Sequence, residues 1–498
     1  MNPFALCLSP TLREIERQHA DLPLMQRAGA AAAAWAAQLV LDRKRPILVL
    51  AGPGNNGGDA LEAACLLQQQ LFDVRVVFAG DPGLLPPDAL AAWQRFSAAG
   101  GTTQSTIPEV GLWGLIIDGL FGIGLTRAPA GVYAGWIETA NQLAGRDHCP
   151  LLALDCPSGL NADHGCALTP AIAASHTLTF IAHKPGLLTN DGPDHCGEIR
   201  LADLDLPNDP PLPADGLQVS QADFAAWLQP RRRNTHKGSF GNAGILGGGP
   251  SMLGAACLAA RAALKLGAGR VYLGALDASA PAVDFMQPEI MWRPPAALLA
   301  TELQALACGP GLGTAPAAAD LLALALHSPA QLVLDADALN LLASDNNLAK
   351  QLAQRSTPAI LTPHPTEAAR LLGCSTTEVQ ADRIAAARQL AARYHSWVVL
   401  KGCGSVIAAV DGRFWVNSSG NPGMASAGMG DVLSGLLVAL LAQDWPAEAA
   451  LLAAVHLHGA AADRLIDQGV GPIGLTAGEV IDAARHLFND WVASARAR

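Results

Sequence analysis

The chain has 498 residues, half of them hydrophobic, and a formal net charge of -11. That length exceeds one ordinary core and points to roughly two to four domains. The acidic balance excludes a partner held mainly through nucleic-acid phosphates, while small anionic ligands gripped by local backbone donors stay compatible with it.

Taken in order, the start MNPFALCLSPTLREIERQ lacks a basic segment followed by a long apolar one, so no secretory signal is expected. Short apolar runs ending in Gly or Asp then alternate with Ala/Leu-rich helical stretches, the pattern of an α/β protein built from βα units on parallel sheets. In the first half, strands are predicted at 47–51, 74–78, 115–118, 151–155 and 177–181. In the second half they are predicted at 244–246, 306–308, 332–335, 359–362 and 398–401, with a hairpin over 406–416 turning at Asp411 and Gly412. Residues 206–216, LPNDPPLPADG, carry four prolines and no apolar periodicity, so the chain divides there into domains 1–213 and 217–498. Apolar runs such as 30–37 and 436–442 are too short for a membrane span. Ten scattered cysteines without a CxxC pair fit neither a zinc site nor a disulfide framework, and the expectation is a cytoplasmic protein.

In the first half, GPGNNGGDA (52–60) follows a strand and precedes a helix predicted to begin near Asp59. Ligands of open α/β sheets bind at the carboxyl ends of strands, where this loop must lie. Asn55 and Asn56 offer donors and acceptors together, which suits a ligand bearing phosphates and hydroxyls; the same loop also reads as a tight turn with a helix cap at Asp59. Two further strand ends carry Asp118, in IIDGLFGIGLTRA, and Asp155, in LLALDCPSGLNAD, with Ser158 close behind. Asn56, Asp118 and Ser158 supply hard oxygens without sulfur or imidazole, a set that prefers an alkali or alkaline-earth ion to zinc.

NNGGD, DGLFGIGLTR, DCPSGLNAD and FIAHKPGL together resemble the NAD(P)H-hydrate epimerase domain, over most of residues 1 to 213. The resemblance implies a Rossmann-like three-layer α/β/α fold. It implies that Asn55, Asn56, Gly57, Gly58 and Asp59, with Gly122, Ile123, Gly124, Leu125, Thr126, Arg127 and Ala128, hold the phosphates and ribose of the hydrate. It also implies K+ at Asn56, Asp118 and Ser158, and Asp155 beside the reacting nicotinamide ring. Ala60 departs from the glycine of many relatives. Epimerisation inverts the hydroxyl-bearing ring carbon: the ring nitrogen expels the hydroxyl, and water returns to either face. Asp155 is the candidate acid/base, and Lys184 is a second candidate that also reads as a surface lysine.

The second half holds the most informative stretch, NPGMASAGMGDVLSG (421–435), a Gly-rich loop that ends in Asp431 and opens into an apolar helix. Free N–H groups at a helix start attract an anion. A carboxylate beside a phosphate makes sense as the base for an incoming hydroxyl, so the local chemistry reads as phosphoryl transfer. AGILGGGPSMLGAA brings Ala255 to a helix start, CGPGLGT repeats the device, and LTPHPTE puts His364 at a strand end, where a lone His also reads as a cap. KGCGSV joins a strand to the hairpin, with glycines that leave room for a nucleotide. His456 and His458 are two apart on a helix and point to nearly opposite sides, so they are not a metal pair. The run Arg231 to Arg233 reads as a solvated edge.

KGSFGNAGILGGGPSMLGA, CGPGLG, LDADALN, TPHPTE, KGCGSV and NPGMASAGMGDVLSG resemble the ADP-dependent NAD(P)H-hydrate dehydratase family, whose fold is ribokinase-like, from Leu217 to near the C-terminus. The resemblance makes Ala255, Gly313, His364 and Asp431 hydrate contacts, Lys401, Gly402, Cys403, Gly404 and Ser405 the adenine-nucleotide loop, and Gly430 a further nucleotide contact. Met429 stands where many ribokinase-like kinases have threonine, which costs one hydroxyl and leaves the backbone donors. Mg2+ is expected on the nucleotide. The fused arrangement resembles bacterial members and implies ADP, converted to AMP and phosphate, with hydrated NADH or NADPH as substrate and a homo-oligomeric assembly. The rival readings are a ribokinase-like kinase for a small vitamin-like alcohol and a non-catalytic first domain, as in eukaryotic relatives among RNA-decapping factors. Asn56, Asp118, Asp155 and Ser158 together argue against the latter.

Overall fold

The computed structural model describes residues 2–109, 111–207 and 212–496. It divides into two compact units, Met1–Leu217 and Gln218–Arg498. Residues 208–211 of the proline-rich segment lie outside the described residues.

The strands of the first unit are β1 (Ala5–Leu6), β2 (Ile47–Ala51), β3 (Val74–Phe78), β4 (Thr103–Gln104), β5 (Leu115–Gly119), β6 (Leu151–Leu154), β7 (His176–Phe180), β8 (Glu198–Ala202) and β9 (Gly216–Gln218). Of these, β2 to β8 form a parallel sheet in the order β4-β3-β2-β5-β6-β7-β8, and β1 pairs antiparallel with β9 through Ala5 and Leu217. Every residue of β2, β5 and β6 is buried, as expected for parallel strands covered on both faces. Ile47, Val49 and Ile117 pack with Ala32 and Ala36 of helix Leu24–Leu39 and Ala60 and Ala64 of helix Asn55–Gln69. Leu48, Leu50 and Ile116 face Trp136, Ile137 and Ala140 of helix Val132–Asp147. The result is a three-layer α/β/α unit.

The chain runs outward from β2 to β4, then returns to place β5 on the other side of β2. The reversal opens a crevice between the carboxyl ends of β2 and β5. GPGNNGGD leaves β2 and DGLFGIG leaves β5, so both predicted loops border it. One expectation needs correction: the helix starts at Asn55, four residues before Asp59, and NNGGD is its first turn. Tertiary packing overrides the poor helix propensity of Asn and Gly here. A Cβ on Gly57 would stand 2.0 Å from the Gly52 carbonyl oxygen, and one on Gly58 would stand 2.5 Å from Met25 Sδ.

The second unit contains β10 (Asn242–Gly247), β11 (Arg270–Ala275), β12 (Met291–Arg293), β13 (Ala305–Cys308), β14 (Gln331–Leu334), β15 (Ile360–Leu361), β16 (Trp397–Leu400), β17 (Ser405–Ala408) and β18 (Phe414–Asn417). Their order is β18-β17-β16-β15-β14-β13-β10-β11-β12, parallel from β16 to β12, with β17 and β18 forming the expected antiparallel hairpin. The reversal of order falls between β10 and β13, the strands that lead into GGGPSM and CGPGLG. Helix Met429–Ala442 is apolar on almost every side and buried, and Gly435 lets it approach helix Leu253–Lys265: a Cβ there would stand 2.2 Å from the Ala259 carbonyl oxygen. Among the described residues one helix, Ala447–Asp467, is long and apolar enough to cross a membrane, and 67% of its apolar window is buried in the protein.

Candidate functional site

A pocket of about 820 Å³ opens at the crevice of the first unit. Its walls include Asn55, Asn56, Asp59, Gly122, Ile123, Gly124, Leu125, Thr126, Arg127 and Asp155, together with Lys184. Gly57 and Gly58 are buried behind this surface, and Ala128 is not part of the wall. Helix Asn55–Gln69 begins without a side-chain cap, so the N–H groups of its first turn are free for an anion.

Asp118 is fully buried at the end of β5. Its Oδ1 accepts from Leu120 N (3.1 Å) and Ser158 Oγ (2.7 Å), and its Oδ2 accepts from Ser158 N (2.8 Å). Burial pushes this carboxyl up to about 6, against the pull of the hydrogen bonds from Ser158 and Leu120. Asn56 is buried too, and neither its Oδ1 nor its Nδ2 has a partner among the described residues. An unsatisfied buried amide costs about 1–3 kcal/mol per group, so a folded protein keeps one where a ligand completes it. The position a Cβ of Gly122 would take lies 2.8 Å from Asp155 Oδ2 and 3.6 Å from Asn56 Cγ, which brings loop, amide and carboxylate together. The oxygens of Asn56, Asp118 and Ser158 fit an alkali cation by their chemistry.

Asp155 follows β6 in a left-handed conformation (φ +64°), a strained position for a non-glycine residue. Its Oδ2 accepts from Ile123 N at 3.3 Å, and its Oδ1 accepts from the ammonium of Lys184. Lys184 is no surface lysine: its side chain is 1% exposed. Besides Asp155 it donates to Thr179 Oγ1 and the Phe180 carbonyl oxygen, both at 2.9 Å. An ammonium has three donors, and all three are taken. Nearby, burial pushes the Asp59 carboxyl well above the ordinary range, with the charges of Asp155 and Glu16 adding to the effect.

In the second unit Gly428 (φ +91°) precedes helix Met429–Ala442, again without a side-chain cap, and Asp431 sits in its first turn. Burial, and then the charge of Asp335, raise the Asp431 carboxyl to about 7, while Lys401 opposes the shift. That places a base near neutral pH beside uncapped N–H groups. Lys401 Nζ donates to Asp335 Oδ1 at 2.8 Å, and Ser434 Oγ donates to Asp335 Oδ2 at 2.9 Å. Gly430 lies against this pair: a Cβ there would be 3.1 Å from Lys401 Nζ.

The loop Lys401 to Ser405 is held from beneath by Arg383, which is 2% exposed and donates to the Leu400, Lys401 and Gly404 carbonyl oxygens at 3.2, 3.4 and 3.5 Å. Gly402 (φ +144°) has no room for a side chain, since its Cβ would stand 2.6 Å from the Arg383 guanidinium; Cys403 is exposed. His364 caps helix Pro365–Leu372, its Nδ1 accepting from Thr366 N at 3.1 Å, while its Nε2 lies 3.2 Å from Glu367 Oε1. Gly313 (φ +78°) has open space where a side chain would be, and its N–H donates to Asp337 Oδ2 at 2.8 Å. Ala255 is half-buried in the first turn of helix Leu253–Lys265. The loops after β10 and β13 are joined through Gly248 N to Pro310 O (2.9 Å) and Gly249 N to Gly311 O (2.6 Å). Sequence reasoning did not single out Asp335, Asp337, Ser434 or Arg383. The signal for Asp335 was present, because it ends a predicted strand just as Asp118 and Asp155 do.

Residues 21–186 match the family model for the YjeF-related protein N-terminus, and residues 243–484 match that for NAD(P)H-hydrate dehydratase. The bifunctional NAD(P)H-hydrate repair enzyme of Coxiella burnetii is 37% identical over 96% of this chain and 98% of its own. The enzyme of the same name from Escherichia coli is 36% identical over 98% and 94%. Among solved structures, the ADP/ATP-dependent NAD(P)H-hydrate dehydratase of Bacillus subtilis, crystallised with ATP and Mg2+, is 30% identical and covers 55% of this chain and 98% of its own, with a TM-score of 0.47. With relatives of this identity matched along nearly their whole length in both units, the chain belongs to the family of bifunctional NAD(P)H-hydrate repair enzymes, which join an epimerase to a dehydratase.

Proposed function

We propose that Asp155 is the acid/base of epimer exchange in the first unit and that Asp431 is the base of an ADP-driven dehydration in the second. The observation that carries the dehydratase assignment is Asp431 itself, raised to about 7 in the first turn of an uncapped helix. Hydroxide is a poor leaving group. Asp431 takes the proton from the hydrate hydroxyl as its oxygen bonds to the β-phosphoryl group of ADP, and the bond to AMP breaks. The N–H groups at Gly428 to Gly430 stabilise charge on the transferring group. Phosphate then leaves, pushed by the ring nitrogen, and loss of a proton from the neighbouring carbon restores NAD(P)H. Lys401, Gly402, Cys403, Gly404 and Ser405 take the adenine nucleotide, while Ala255, Gly313 and His364 take the hydrate. Mg2+ would accompany the nucleotide, where it would offset the charge of the diphosphate.

In the first unit the pocket wall formed by Asn55, Asn56, Asp59 and Gly122 to Arg127 supports this reading, with the hydrate's phosphates and ribose along it and the ring at Asp155. K+ held by Asn56, Asp118 and Ser158 would supply positive charge close to the ligand's diphosphate. Asp155 donates a proton to the departing hydroxyl and takes one from the water that returns. We place the protein in the cytoplasm as a homo-oligomer.

The test is incubation with mixed hydrate epimers while ADP, ATP and K+ are varied and both epimers are followed. The expected outcome is epimer exchange without nucleotide and loss of the S form, with AMP and phosphate released, when ADP is present. Asp431→Ala should stop the recovery of NADH absorbance and leave exchange running. A stable phosphorylated alcohol as the product would support the rival kinase reading, which family membership does not favour.

A further inference from the structure

LDADALN (334–340) carries part of the family resemblance and has no role in the chemistry above. Its acidic residues open helix Ala336–Ser344, where the ordinary explanation is capping. The geometry contradicts it. Asp335 occupies the N-cap position and makes no side-chain cap hydrogen bond; its two oxygens take Lys401 Nζ and Ser434 Oγ instead. Asp337 turns its Oδ2 to the Gly313 amide at 2.8 Å, and its Oδ1 accepts from Asn340 Nδ2 at 3.3 Å. Asn340 Oδ1 in turn accepts from Arg370 NH1 at 2.8 Å, and Arg370 lies on the helix that His364 caps. Between the two aspartates Ala336 is held left-handed at φ +46°, a conformation that costs about 1–3 kcal/mol in a non-glycine residue and persists where surrounding contacts demand it.

We propose that Asp335, Asp337 and Asn340 form the positioning hub of the dehydratase site: Asp335 fixes the phosphoryl-transfer end through Lys401 and Ser434, and Asp337 with Asn340 fixes the hydrate end through Gly313 and the His364 helix. The hub rests on the assignment of Gly313 and His364 to the hydrate, of Lys401 to the nucleotide and of Asp431 to phosphoryl transfer. It explains why two aspartates stand beside a site that must bind anions. One is neutralised by Lys401, and the other is committed to a backbone N–H and an amide, so neither is left facing the diphosphate unpaired.

The hub predicts that the two ends separate on mutation. Loss of a hydrogen bond to a charged acceptor is large enough to read as about tenfold in binding. Asp337→Ala should raise KM for the hydrate by about tenfold or more while kcat and the nucleotide KM change by less than about threefold. Asp335→Asn should do the reverse, lowering kcat by about tenfold or more and weakening the nucleotide, with the hydrate KM nearly unchanged. Asn340→Ala removes no charge and guards against a folding defect. In it, and in Asp337→Ala, amide hydrogen exchange should quicken in residues 309–314 and 365–372 and stay unchanged in 401–405. If both aspartate variants lose kcat and both KM values together, in step with a lower Tm, or if exchange quickens everywhere alike, the hub is overturned. A wild-type protein that fails to dehydrate the hydrate would overturn the functional assignment instead, and the exchange pattern would still decide the hub.

Discussion

Lys184 donates to Asp155 from a position with 1% of its side chain exposed, and Thr179 and Phe180 take its other two donors. With no proton donor left to face the pocket, Lys184 acts through Asp155: its ammonium fixes the orientation of the carboxyl group. Removing one partner of a buried ion pair costs about 3–5 kcal/mol, because the other charge is left uncompensated. Lys184→Met should therefore lower the Tm of the first unit and slow epimer exchange by about 10²–10⁴-fold, the usual weight of a general acid/base. Dehydration of the S form should survive in this variant. Lys184→Arg keeps the charge and should recover part of the exchange. An unchanged exchange rate in Lys184→Met would remove the pair from the mechanism.

The dehydratase should show an acid limb near pH 7. Asp431 must be ionised to accept a proton, and its carboxyl is raised to about 7, so the rate rises with pH through that value. Asp335 raises the Asp431 carboxyl and Lys401 lowers it. Asp335→Asn removes a like charge and should move the limb to lower pH; Lys401→Met removes an opposite charge and should move it to higher pH. A pH profile of kcat/KM for the hydrate in the three proteins checks both signs. Shifts in the same direction would show that Asp431 is not the group titrating.

Potassium should stabilise the first unit through Asn56, whose buried amide has no partner among the described residues. A ligand present at 100 times its dissociation constant stabilises by about 2.7 kcal/mol. Replacing K+ with a large organic cation should therefore lower the Tm of the first unit measurably. Asn56→Leu removes both polar atoms at similar volume and should abolish the difference between the two salts. A Tm that is indifferent to K+ in the wild type would refute the assignment.

The strands were legible wherever they are buried on both faces, because a parallel strand then reads as a short continuous apolar run; β2, β6 and β13 are of this kind. β11 escaped because RVYLGA mixes a charge, an aromatic and a glycine. Strand-end aspartates were legible as a type, so Asp118 and Asp155 stood out from position alone. What Asp335 does was not legible, since its partners lie 66 and 99 residues away, at Lys401 and Ser434. Lys184 was ambiguous for the same reason: burial is decided by what packs around KPG, and no local pattern reports it. Asn55 to Asp59 stood out in the sequence, yet their conformation was misread, because local propensity disfavours the helix that tertiary contacts impose.

That misreading leads to a prediction within one motif. Gly54 and Gly57 are equivalent as loop glycines that let a phosphate approach, and in the structure they differ. A Cβ on Gly54 meets nothing within 4 Å, whereas one on Gly57 would stand 2.0 Å from the Gly52 carbonyl oxygen and 2.8 Å from Gly52 N, both backbone atoms that cannot swing away. Gly54 precedes the first helical residue, where replacing glycine costs at most about 1 kcal/mol. Overpacking against backbone at Gly57 should cost about 3 kcal/mol, at the upper end of the usual range. Gly54→Ala should therefore retain the wild-type Tm within a few degrees and keep its epimerase activity. Gly57→Ala should unfold the first unit at markedly lower temperature, and it should lose exchange because the strain reaches Asn56, the neighbouring residue. Equal thermal stability in the two variants would mean that the segment is an open loop after all, and that its glycines serve the ligand alone.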